Sequence, residues 1–76
     1  MKTVADICLE ALELKRQGQR LQKIAGQLID IAHDNGFGII KCHGSGGAGE
    51  PTIIGLTFPD GEVIHFDGTD WHHRVP

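Results

Sequence analysis

The amino-terminal part of the chain carries the hydrophobic pattern of a helix. Val4, Ile7, Ala11, Leu14, Gly18, Leu21, Ala25, Leu28 and Ala32 recur at alternating three- and four-residue spacings, the period of one helical face. Thr3-Val4-Ala5-Asp6 opens the run as a capping box, a hydroxyl at the N-cap and a carboxylate three residues on. Asn35-Gly36 supplies the stop, and no proline intervenes. The pattern predicts one α-helix over 3–35.

Length gives that helix a consequence. About 31 helical residues span roughly 46 Å, whereas a compact chain of this size has a diameter near ~30 Å. Either the chain breaks at "RQGQR" into a helical hairpin, or a second copy covers the overhang. The heptad phase passes Gly18 without a slip, which favours a helix-mediated homodimer through Val4, Ile7, Ala11, Leu14, Gly18, Leu21 and Ala25. Small residues fill one series of the seam, and Gly18 stands at its midpoint, as a close antiparallel crossing would require.

After Gly36 the period changes. "FGIIKC" (37–42), "TIIGLTF" (52–58) and "EVIHF" (62–66) are β-branched and aromatic-rich. Phe58-Pro59-Asp60-Gly61-Glu62 has the chemistry of a tight turn and pairs the last two as a hairpin. Ile54, Leu56 and Phe58 alternate onto one face, assigned to the core with Ile64 and Phe66, while Ile53 points the other way and needs cover. The expected fold is α+β: a long N-terminal helix, a three-stranded antiparallel meander over 37–66 and a C-terminal segment 67–76, in a single domain 1–76.

Composition narrows the function classes. A chain of 76 residues has room for one small core. Cys8 and Cys42 make no disulfide framework, "MKTVADICLE" lacks the apolar run of a signal peptide, and no segment approaches a membrane span. The expectation is a cytoplasmic, unprocessed protein. Net charge is −3, with the excess acid after residue 36. Only Lys15, Arg16, Arg20 and Lys23 form a basic cluster, which reads as a solvated helix face and argues against nucleic-acid binding.

Two motifs suggest chemistry. "KCHGSGGAGEP" contains G-x-G-x-x-G as Gly44, Gly46 and Gly49, but Pro51 and a strand follow where a phosphate-binding helix should start. It reads as a connection between strands. Cys42, His43, His65, His72 and His73 are all potential zinc ligands, though their spacing matches no standard finger. Adjacent strand residues face opposite ways, so each neighbouring pair would give one ligand, and no cofactor is otherwise implied. A Cys42–His65 pair across strands could activate a thiolate, and Asp67, Asp70, His72 and His73 lie close in sequence, yet no spacing singles out an enzyme.

"LIDIAHDNGF", a strand, "KCHGSG", a second strand, "PDG" and a third strand resemble the start of HicA-type toxins. Over about 40 residues that resemblance implies a double-stranded-RNA-binding-like fold and mRNA cleavage. The family's catalytic histidine directly follows the Gly-Ser, where this chain has Gly46. The family's closing helix and basic surface are also missing from the pattern. Trp71 in "TDWHHR" suits either an interface anchor or the edge of a small core. The residues favour a small non-enzymatic protein-binding or inhibitor module of the phage or mobile-element accessory type. It would engage an unidentified host protein through Trp71, Asp70, His72 and Glu50. A HicA-like RNA-binding or RNA-cleaving protein and a zinc-binding domain are the alternatives.

Overall fold

The computed structural model describes residues 2–38, 41–45 and 53–76. These form two helices, α1 (Val4–Arg16) and α2 (Leu21–Asp34), then strands β1 (Lys41–Ser45), β2 (Ile53–Thr57), β3 (Val63–Phe66) and β4 (Trp71–Arg74). The strands make one antiparallel sheet in the order β1-β2-β3-β4. The expected α+β meander is present, with two differences: the helix is broken, and the C-terminal segment adds a fourth strand.

Thr3 caps α1 as the sequence predicts. Its hydroxyl accepts from the Asp6 N–H at 3.2 Å, and the Asp6 carboxylate accepts from the Thr3 N–H at 3.0 Å. The helix then ends at Gln17. Gly18 takes φ +82°, the Gly18 N–H donates to the Lys15 carbonyl at 2.9 Å and the Gln19 N–H to that of Leu14 at 3.1 Å. Those two bonds are the Schellman pattern, which satisfies carbonyls that a continuing helix would have paired. Asn35-Gly36-Phe37 repeats the arrangement at the end of α2, with Gly36 at φ +80° and the Phe37 N–H donating to the Ala32 carbonyl.

The break removes the overhang. The molecule's longest extent is 34 Å, and the apolar stripe of both helices turns inward on one core. Val4, Ile7, Ala11, Leu14, Ala25, Leu28 and Ala32 are buried with Cys8 and Ile24 against Leu56, Phe58, Ile64, Phe66 and Trp71. Five of the seven predicted interface positions, Val4, Ile7, Ala11, Leu14 and Ala25, are therefore buried within the chain's own core. Leu21 is half-buried against the same core and Gly18 lies exposed in the turn. Of the predicted sheet core, Leu56, Phe58, Ile64 and Phe66 are buried as expected.

Two tight connections set the strand register. In the first, the Gly61 N–H donates to the Phe58 carbonyl at 3.0 Å and Asp60 accepts from the Glu62 N–H at 3.0 Å. In the second, Asp67 Oδ1 accepts from the N–H groups of Thr69 and Asp70 at 2.8 and 2.9 Å. α1 lies against α2, β3 and β4. The helices thus form one layer and the sheet the other, with the core between them.

Candidate functional site

Period-two alternation gives the sheet two unlike faces. Leu56, Ile64, Phe66 and Trp71 point to the helices and are buried. The opposite face presents Gly55, Thr57, Val63, His65, His72 and Arg74, and no described element lies over it. A shallow groove of about 540 Å³ runs there, lined by Gly55, Thr57, Gly61, Val63, His65, Arg74 and Val75.

Register sorts the predicted metal ligands. Position 43 pairs with Gly55, which pairs with His65, which pairs with His72. Position 42 instead pairs with Leu56, in line with Ile64 and His73. Cys42 thus shares no row with His65, and the five candidate ligands divide between two rows of opposite parity. The His65 and His72 rings are neighbours, with centroids 5.5 Å apart. His73 turns from them and meets Glu62, Nε2 to Oε1 at 2.9 Å. Among the described residues no three His, Cys, Asp or Glu side chains gather as a metal site.

Electrostatics separate these groups further. Burial, aided by Arg74 and His72 and opposed by Asp67, holds the His65 imidazole below its ordinary range. Burial, with Asp70 nearby, pushes the Cys8 thiol up, so this cysteine behaves as a core residue rather than a thiolate nucleophile. Asp67 is lowered to about 2, first by the Asp70 N–H, then by the Thr69 N–H, with His72 Nε2 at 2.7 Å adding to them. A carboxyl depressed in the folded state stabilises it above the unfolded pKa and loses that contribution as pH falls through the folded value. The thermal midpoint should therefore drop between pH ~4 and ~2, less steeply in Asp67→Ala. Parallel midpoint-against-pH curves would refute this role for Asp67.

The predicted partner-binding residues fare unevenly. His72 is exposed, on the open face. Asp70 is half-buried and tied into the β3–β4 connection, donating its N–H to Asp67. Trp71 is 2% exposed and packs on Phe66 at 5.7 Å, so it closes the core and is no presented anchor. Glu50 and most of the glycine segment, including Gly46 and Gly49, lie outside the described residues. Thr57, Val63 and Arg74 were missed as surface candidates. Counting strand positions outward from Pro59-Asp60-Gly61, with Leu56 and Phe58 fixed inward, would have put Thr57 and Val63 together on the outer face.

Where the HicA resemblance leads to a closing helix, Trp71–Arg74 is a strand. Among the described residues no helix is long and apolar enough to cross a membrane. No protein-family model, curated protein or solved structure matches the chain.

Proposed function

We propose that this chain is a non-enzymatic protein-binding module whose working surface is the sheet face turned away from the helices. The observation that supports it is the two-layer build: one sheet face is spent on the core, and the other carries a groove floored by Thr57, Val63 and Val75. Val75 is 70% exposed there, an apolar group that a docked partner would remove from water. In this reading the chain acts by covering a surface of its partner, as an inhibitor or accessory subunit does. Trp71 contributes by holding β4 in place, and His72 by lying on the contact face. The neighbouring His65 and His72 rings favour, as a second reading, a divalent metal on that same face.

The test is differential capture from a host lysate. Val63→Glu places a carboxylate in the groove, and Leu9→Glu alters the most exposed large apolar side chain of the helical layer, 62% accessible. A partner held by the wild-type chain should be lost with Val63→Glu and kept with Leu9→Glu. Loss with Leu9→Glu alone would move the contact to the helices and overturn the reading.

A further inference from the structure

A separate cleft opens on the helical side of the sheet, where the turn between α1 and α2 meets β3 and β4. Its volume is about 190 Å³, and Lys15, Gln19, Leu21, Ile24, Phe66 and Trp71 line it. The four apolar groups make the floor, while Lys15 is exposed and Gln19 half-buried. An apolar cavity of about 150 Å³ takes one benzene ring, and clefts for drug-sized ligands begin at about 300 Å³. The size therefore selects a single ring, or its aliphatic equivalent, with room for a short polar group.

Charge at this end differs from that of the whole chain, which is −3. Lys15, Arg16, Arg20 and Lys23 flank the helical turn. Arg16 is held by Glu13 at 2.8 Å, whereas Lys15, Arg20 and Lys23 enter no ion pair among the described residues. The acids close in sequence to the lining positions are engaged elsewhere. Glu13 accepts from Arg16 and Gln17, Asp67 from Thr69, Asp70 and His72, and Asp70 from the backbone N–H of Trp71. α2 also begins here. Its first-turn N–H groups have no intrahelical acceptor, and Arg20 at the N-cap makes no side-chain bond to them. The positive end of the helix dipole is thus open beside Leu21, the first residue of α2.

The decisive group is Trp71, which is 2% exposed and walls the cleft. Its indole N–H is buried with no acceptor among the described residues. An unpaired buried donor costs free energy that a bound acceptor returns. Lys15 and Gln19 are the long lining side chains that turn aside to admit one. We infer that the cleft binds a small monocarboxylate of single-ring size. Its apolar body lies against Leu21, Ile24 and Phe66, and its carboxylate accepts from the Trp71 indole N–H and the Lys15 ammonium. A neutral carbonyl would pair the indole but leave the cation unused, so Lys15 selects the acid. The site lies on the opposite side of the sheet from the proposed protein-binding face and does not depend on it.

The experiment titrates the isotopically labelled full chain with phenylacetate, phenylacetamide, phenethylamine and acetate. It follows the backbone amides and the indole N–H resonance of Trp71, the chain's one tryptophan. Phenylacetate should move the indole proton downfield, shift the Leu21 and Ile24 amides and bind more tightly than the other probes. Lys15→Met keeps the aliphatic stem and should weaken phenylacetate about threefold to fivefold, the scale of an exposed ion pair, without changing phenylacetamide. Trp71→Phe, read on the Leu21 amide, should weaken it about tenfold, the scale of a hydrogen bond to a charged group. Lys2→Met, ahead of α1, should leave binding unchanged. Phenylacetamide binding as tightly as phenylacetate would overturn the carboxylate. Acetate binding as tightly would overturn the apolar body and leave a bare anion at a helix end. Amide shifts with a stationary indole proton would remove Trp71 from the site and overturn the recognition. If no probe moves these resonances the inference fails, while the outcome of the Val63→Glu capture is untouched.

Discussion

Trp71→Ala is expected to cost about 3–5 kcal/mol of folding stability, whereas Trp71→Phe should cost no more than about 1 kcal/mol. Trp71 is 2% exposed, packs at a tilt against Phe66 and faces α1 from the edge strand of the sheet. Truncation to alanine removes the largest side chain of a small core and leaves a cavity that Phe66 alone cannot fill. A domain of this length has only about 4–11 kcal/mol in hand, so a large part of the alanine variant should be unfolded. Phenylalanine keeps most of the volume. It also deletes the indole N–H, which is buried with no acceptor among the described residues, so a small packing loss is offset by removing an unsatisfied donor. Urea titration followed by far-ultraviolet circular dichroism reads both variants without relying on the lost fluorophore. If alanine costs less than about 0.5 kcal/mol, as at an exposed surface site, Trp71 is an anchor and not core.

The same residue marks where sequence patterning stopped being decisive. Period and turn chemistry identified β2, β3 and the Pro59-Asp60-Gly61 connection, because alternation and turn residues agreed there. "TDWHHR" has one apolar residue and no alternation, so nothing local makes it a strand. β4 exists because Asp67 folds the chain back and Phe66 then meets Trp71 in register. Burial of that tryptophan is a tertiary effect, which is why anchor and core fitted the sequence equally well. The histidines behave similarly. Their types were visible, but their division into rows depends on pairing offsets that only the folded sheet fixes.

The helix break had the opposite cause: two local signals disagreed. Gln17-Gly18 has the stop grammar of Asn35-Gly36, and both glycines adopt positive φ in the structure. Heptad continuity hides that stop, and α2 has no start signal of its own. Its N-cap is Arg20, which makes no side-chain capping bond. A hairpin can preserve heptad phase by coincidence of turn length, and here Gln17 to Arg20 does so.

That preserved phase makes the turn the most sensitive point of the architecture, and Gly18→Ala together with Gln17→Ala and Gln19→Ala is expected to convert the chain into a swapped dimer. At φ +82° an alanine costs about 1–2 kcal/mol, while in a continuous helix replacing glycine by alanine gains about 1 kcal/mol. Each chain is therefore biased toward the straight helix by roughly 2–3 kcal/mol from this position alone. Among the described residues, nothing beyond its own chain neighbours lies within 4 Å of the added Cβ, so the bias comes from the backbone and not from a clash. The opened seam is not left in water. With the phase unbroken, α2 of one copy can dock on α1 of its partner through the contacts that Ile7, Leu14 and Leu28 make within one chain, the exchange of identical elements that makes swapping inexpensive. Sedimentation should give 8.2 kDa for the wild-type chain and twice that for the variant. Gly26→Ala supplies the control: its site is helical, exposed and equally open, so it should stabilise the hairpin by about 1 kcal/mol without changing the mass. A wild-type chain that already sediments as a dimer, or a turn variant that stays monomeric, would show that the turn does not govern assembly.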